Sequence, residues 1–186
     1  MKQILLTLLC LVAIIPLHAQ KILSDDTANG TRSIITSKEN VKSGNDRVVI
    51  YAGLSLMQSD GEPHYFLSLK LSAMKHLAIS KENRILLKDQ NGEVITLTTP
   101  QGSYGTDTRN VGGFNLYEIN VDYPVTLEQL QQLANGVTKI RIELDNDEPF
   151  EKDYKKDNIG KVIQTDLSLI AGALGTDKKA SFSDGF

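Results

Sequence analysis

Two runs of alternating apolar and polar residues meet at Asp60-Gly61 and leave the centre of this chain little freedom in how it can fold. Val48, Ile50, Ala52, Leu54 and Leu56 precede the pair, and Tyr65, Leu67, Leu69, Leu71 and Ala73 follow it. Successive side chains of a strand point to opposite faces, so this period marks strands with one buried face. With Asp60 and Gly61 in a type I′ turn, Leu56 faces Tyr65, Leu54 faces Leu67, Ala52 faces Leu69, Ile50 faces Leu71 and Val48 faces Ala73. Every apolar residue then lies on one face. A slip of one residue would turn one strand inside out, so turn chemistry and pattern demand the same register. Pro63, opposite Gln58, has no N–H for a ladder and places that end of the second strand at a sheet edge or beyond regular pairing.

The period continues. Asn91-Gly92 separates Ile85-Leu86-Leu87-Lys88 from Val94-Ile95-Thr96-Leu97. A two-residue loop would mix the faces, whereas a three-residue loop with Gly92 in the left-handed region faces Leu87 with Ile95 and Ile85 with Leu97, forming a G1 bulge. Tyr117, Ile119, Val121 and Tyr123 alternate up to Pro124, which is expected to end their strand. A short helix follows, with Thr126 as N-cap, Gln129 as capping-box partner and Val125 placed to staple Leu130. Leu127, Leu130, Leu133 and Ala134 are its buried stripe, and Gly136 is its stop. Ile140, Ile142 and Leu144 form one face of the next strand, Asp145 to Pro149 reads as a turn, and Phe150, Lys152 and Tyr154 as a last short strand. Asp157 caps a terminal helix with the stripe Ile159, Val162, Ile163, Leu167, Ile170 and Leu174, which Gly160 weakens by about 1 kcal/mol. The fold expected is α+β and mainly antiparallel β: a curved sheet or compact sandwich built of hairpins, with one short helix and a C-terminal amphipathic helix.

An address precedes this fold. Lys2, the apolar run Ile4 to Ile15, Pro16 and Leu17-His18-Ala19 before Gln20 make a Sec-type signal peptide, and the run is too short to cross a bilayer as a helix. Leu17 is bulkier than the small residue preferred at its position, which places the cut within a residue or two of Ala19. The expected organisation is a signal peptide over 1–19, a flexible polar spacer over 20–31, a single domain over 32–175 and a disordered tail over 176–186. Cys10, the single cysteine, leaves with the signal, so the mature chain has no disulfide, thiol nucleophile or thiolate ligand. Removing Lys2 from 20 basic residues leaves 19 against 23 acidic ones, a net charge of −4. With no Lys/Arg-rich patch, this balance argues against a nucleic-acid partner, and no membrane span is expected after cleavage.

The segments 85–88 with 92–97, Thr126-Leu127-Glu128-Gln129-Leu130, Gly136 to Glu143 and the final amphipathic helix resemble small secreted proteins of Bacteroidetes of no assigned function. The likeness covers roughly the second half of the chain, and the Ala19-Gln20 junction is also common in exported proteins of that group. It implies export and the β-rich fold, and carries no functional residue over. Asp26-Thr27-Ala28 looks like the short O-glycosylation acceptor of the same bacteria, with Thr27 as the modified residue. Asn29-Gly30-Thr31 fits the N-linked sequon.

Chemistry has few places to reside. The mature chain keeps two histidines, His64 and His76, without G-x-S-x-G or another nucleophile context. Asp145-Asn146-Asp147-Glu148 starts like a calcium loop, but Phe150 stands where an EF-hand needs Gly and Lys156 where it needs Glu. HExxH and CxxC are absent, so neither metal nor cofactor is expected. The glycine-rich stretch 101–113 is the one long connection without evident structure, either a mobile hairpin end or a contact loop. Tyr104, Asp107 and Arg109 are its candidate ligand- or partner-binding residues, since aromatic and guanidinium groups make good anchors. The leading expectation is an exported, non-catalytic envelope protein, periplasmic or at the cell surface, binding an envelope ligand or protein. The alternatives are a small cell-envelope hydrolase using His64 or His76, and an inhibitor or accessory subunit of another secreted protein that presents its hairpin ends.

Overall fold

The computed structural model describes residues 20–41, 48–105, 107–111, 113–145 and 147–183; the expected signal peptide lies outside them. The Asp60-Gly61 hairpin joins β4 (Val48–Ser59) to β5 (Glu62–Ala73). Asp60 and Gly61 have φ of 52° and 83°, and the ladder runs from Val48 opposite Ala73 to Ser59 opposite Glu62, the register that the alternation demands. Around this pair lie β1 (Ile22–Ala28), β2 (Thr31–Thr36), β3 (Glu39–Asn40), β10 (Asp107–Val111) and β11 (Phe114–Val125), an antiparallel sheet ordered β1-β2-β4-β5-β11-β10, with β3 also on β4. β11 pairs with β5 no further than Val125 opposite Tyr65, so among the described residues no strand pairs with the side that the missing N–H of Pro63 faces. Pro124 lies within β11 instead of ending it. It tolerates that place because β10 reaches only to Glu118, and among the described residues no strand pairs with the outer side of β11 at Pro124.

A second sheet, ordered β13-β12-β7-β8, is built from β7 (Arg84–Asp89), β8 (Val94–Thr98), β12 (Val137–Leu144) and β13 (Asp147–Asp153), and the two-residue strands β6 (Ala78–Ile79) and β9 (Ser103–Tyr104) pair apart. Leu87 faces Ile95 and Ile85 faces Leu97 across a loop with Gly92 at φ 88°. Asp89 organises that loop: its buried carboxylate accepts from the N–H groups of Asn91 and Glu93 and from Gln132 of helix α1 (Leu127–Ala134). The capping box of α1 forms, with Thr126 accepting from the Gln129 N–H and the Gln129 side chain accepting from the Thr126 N–H. Helix α2 (Ile159–Ser183) follows an Asp157 that accepts from the Gly160 N–H at 2.8 Å. Ile50, Leu54, Leu67 and Leu71 of the large sheet, Ile85, Leu87, Ile140 and Ile142 of the small one, Leu130 and Leu133 of α1, and Ile159, Ile163 and Ile170 of α2 share one core. The chain is an α+β protein, mainly antiparallel β. Among the described residues, no helix is long and apolar enough to cross a membrane.

Three segments are more ordered than their composition implies. Residues 20–31 are not a flexible spacer: β1 and β2 form a hairpin whose Asn29-Gly30 turn has φ of 51° and 77°, the I′ geometry. Arg32 grips Asp25 in a bidentate pair, with both bonds at 2.8 Å. Thr27, the expected acceptor, therefore sits in an edge strand. The stretch 101–113 holds β9 and β10, the latter zipped to β11 from Asp107 opposite Glu118 to Val111 opposite Phe114. At the other end α2 stays helical to Ser183, past Thr176, because Lys178, Lys179 and Ala180 are helix formers and no Gly or Pro interrupts them after Gly175.

Tyr123 is fully buried, and its hydroxyl has no hydrogen-bond partner among the described residues. Burial holds its phenol well above the usual range. A buried unpaired hydroxyl costs about 1–3 kcal/mol, so Tyr123→Phe is expected to raise stability by about 1 kcal/mol. The measurement is the urea midpoint at unchanged slope, and a lower midpoint would show that the hydroxyl has a partner.

Candidate functional site

Alternation that sends Ile50, Leu54, Leu67 and Leu71 into the core sends the residues between them to the opposite face of the large sheet. Across β4, β5 and β11 the rows on that outer face are Val49–Ser72–Glu118, Tyr51–Lys70–Asn120, Gly53–Ser68–Asp122 and Ser55–Phe66–Pro124, with Met57 beside His64. The centre is polar. Ser68 donates to Asp122 at 2.6 Å and lies 3.2 Å from the Ser55 hydroxyl. Lys70 pairs with Glu118 at 2.9 Å and stands 5.6 Å from the centre of the Tyr51 ring.

Lys38 spans this face, and Gly53 is what admits it. A Cβ on Gly53 would lie 3.2 Å from Cγ of Lys38 and 3.0 Å from the Ser37 carbonyl. Without one, the lysine stem crosses the sheet and its Nζ donates to Oδ1 of Asn120 at 3.0 Å. Burial holds the Lys38 ammonium below the usual lysine range; Asp122 opposes that shift and Lys70 adds to it. The result is a compact array of two cations, two carboxylates, an amide and hydroxyls. Toward the Asp60-Gly61 end the same face turns apolar, with Ile35 and Met57 exposed. At the end of this face, where β11 turns into α1, His64, Phe66 and Pro124 line an open hollow of about 440 Å³ together with Tyr65, Val125, Thr126 and Gln129.

A second polar cluster lies inside the core. Asp166, fully buried on the apolar stripe of α2, accepts from the Leu54 N–H at 3.1 Å and from Nε2 of Gln20 at 3.1 Å, and is also hydrogen-bonded to Thr36. Gln20 donates as well to the Val162 carbonyl. Desolvation pushes the carboxyl up to about 7; Glu39 adds to the rise, and the bonds from Thr36, Leu54 and Gln20 oppose it.

The residues singled out from the sequence do not form one site. Tyr104 is 65% exposed on β9, opposite Ala78 of β6. Asp107 and Arg109 sit on β10 in the large sheet, opposite Glu118 and Leu116, and their side chains lie outside the described part. His76 stacks on Tyr117 with ring centroids 3.8 Å apart, and His64 lines the hollow; no carboxylate hydrogen-bonds either ring among the described residues. Asp145 accepts from the Ser80 N–H, and Asp147 pairs with Lys75. Among the described residues no three His, Cys, Asp or Glu side chains are grouped to hold a metal ion. No family model, curated protein or solved structure matches this chain.

Proposed function

We propose that this chain is an exported, non-catalytic envelope protein, periplasmic or cell-surface, and that the outer face of its large sheet binds an envelope ligand or protein. The observation that carries the reading is the Lys38–Asn120–Asp122–Lys70–Glu118 array on that face together with the mostly apolar hollow at its end, beside Phe66 and Pro124. A few placed polar groups beside apolar surface are what small-ligand and peptide sites share. The resemblance to secreted proteins of Bacteroidetes and the Lys2 to Ala19 leader support export. Asp107 and Arg109, on the strand flanking Glu118 and Leu116, extend the same sheet, whereas Tyr104 belongs to a separate ladder.

The test is an amide chemical-shift titration with envelope polysaccharide and peptide fractions. Shifts are expected in β4, β5 and β11 at outer-face positions. Asn120→Ala with Phe66→Ala should weaken the interaction at least about thirtyfold, the effect of losing one good anchor of ~2 kcal/mol. A hydrolase using His64 is the second reading, favoured by the place of His64 in the hollow. Turnover of any fraction that His64→Gln abolishes would replace the first reading with the second.

A further inference from the structure

Apart from the two-residue β3 beside β4, the large and small sheets end in β1, β10, β13 and β8, and the first three carry features that discourage pairing. β1 has a register break at Leu23 with Asp25 and Asp26 after it, β10 contains Asp107 and Arg109, and β13 carries Glu148, Pro149 and Glu151. Charges, prolines and bulges are the means by which edge strands avoid joining other chains. β8 has none of them. Its residues Val94-Ile95-Thr96-Leu97-Thr98 are uncharged and mostly β-branched, and pair with β7 in unbroken register.

Its free side is also fully armed. The hydrogen bond from the Asp89 N–H to the Glu93 carbonyl, 2.9 Å, sets the alternation of the β7–β8 ladder. Counting from it, Ile95 and Leu97 direct their N–H and C=O toward β7, and Val94, Thr96 and Thr98 direct theirs outward. No hydrogen bond reaches those outward groups among the described residues. Side chains at the same three positions are exposed, while Ile95 and Leu97 are buried.

We propose that the free edge of β8 pairs, antiparallel and centred on Thr96, with the same edge of a second copy of this chain. The strand is its own complement in this register: Val94 meets Thr98, Thr96 meets Thr96, and Ile95 meets Leu97. The outward groups of all three positions find partners, each outward pair exchanging two hydrogen bonds. The exposed side chains then form a Thr–Thr pair flanked by Val–Thr pairs, contacts that favour strand association. Charge fits as well, because an uncharged strand meets an uncharged strand, and Glu93 faces Thr99 of the second copy without a like-charge neighbour. Arg84, one strand inward, is already paired with Glu143 at 2.9 Å. The small sheets of two copies thereby become one continuous sheet. A contact this narrow falls short of the roughly 1,200–2,000 Å² of a permanent interface, so the dimer is reversible and follows concentration.

Sedimentation equilibrium of the exported chain over a wide concentration range is the test. The weight-average mass is expected to climb from one copy toward two, with exchange protection appearing at the Val94, Thr96 and Thr98 amides as it does. Thr96→Lys sets like charges face to face at the centre of the pairing and should hold the protein monomeric, as should Thr96→Glu. An equal mixture of the two should dimerise more tightly than either alone, a rescue that a folding defect would not produce. Wild type that stays monomeric throughout overturns the proposal, as does a dimer indifferent to both substitutions or a mixture no tighter than its parts. Protection of those three amides that appears only when an extended peptide is added assigns the edge to a peptide and overturns self-pairing.

Discussion

Asp166→Asn is expected to remove most of the pH dependence of stability between pH 5 and 8, and to make the protein more stable than wild type at the upper end. The carboxyl is fully buried and its pKa stands near 7, against 3.8 for an ordinary aspartate. A carboxyl raised in the folded state is bound to its proton more tightly there than in the unfolded chain. Its contribution is therefore fully present below the unfolded value and is lost as pH rises through the folded one. The gap corresponds to on the order of 4 kcal/mol, a large part of a small domain's stability. Asp25, Asp89, Glu128, Glu143 and Glu151 are shifted the other way, downward by their hydrogen bonds, and lose their contribution only in acid below this window. Asn fits the Asp166 niche in volume and still offers an oxygen to the Leu54 N–H. Urea midpoints at pH 5 and pH 8 decide the matter: wild type should fall markedly between them and the variant hardly at all. Parallel curves for the two proteins would mean that Asp166 is not the titrating group.

The same residue shows where a sequence reading stops. Asp166 lies three positions after Ile163 and four before Ile170, squarely on the apolar stripe of α2, so its place was legible. Its partners were not, because Leu54 and Gln20 are 112 and 146 residues away along the chain. The N-terminal hairpin was hidden for another reason. Asn29-Gly30 is a strong I′ turn signal, but on the inward face Asp25 and Arg32 stand where apolar residues would have announced strands, and their ion pair replaces that pattern. By contrast, the β4–β5 and β7–β8 hairpins could be read to the residue because turn dipeptide and alternation agreed independently.

For the candidate site the limit is similar. Period two tells which side chains face away from the core, and it cannot tell a bare solvated face from an organised one. The array depends on Lys38 reaching Asn120, 82 residues on, across a glycine that in the sequence looks only like a weak point in a strand. From the sequence Asp107 and Arg109 read as loop residues, yet their backbone belongs to a strand of that same sheet. The glycines of 101–113 suggested an open loop, although Gly105 serves close packing: a Cβ there would lie 3.1 Å from the Ile119 side chain and 3.2 Å from the Leu77 carbonyl.

Gly160→Ala is expected to destabilise the protein, against helix propensity. Replacing Gly by Ala inside a helix ordinarily stabilises by about 1 kcal/mol. Here the added Cβ would stand 2.7 Å from the Leu133 carbonyl, 2.9 Å from Cα of Gly136 and 2.5 Å from Oδ2 of Asp157. Leu133 and Gly136 form the backbone end of α1, so relief requires α1 and α2 to move apart, and overpacking of this kind costs about 1–3 kcal/mol. Displacing Asp157 also frees the Gly160 and Val137 N–H groups that its Oδ1 now satisfies, and loss of such a cap costs about 1 kcal/mol more. Gly160→Ala should therefore destabilise by roughly 1–3 kcal/mol after its propensity gain. Gly172, on the same helix, has open space where its Cβ would go, so Gly172→Ala should gain up to about 1 kcal/mol. Urea midpoints of the two variants should move in opposite directions from wild type. If both rise, the approach of α2 to the end of α1 is looser than the contacts at Gly160 require, and the glycine is there for another reason.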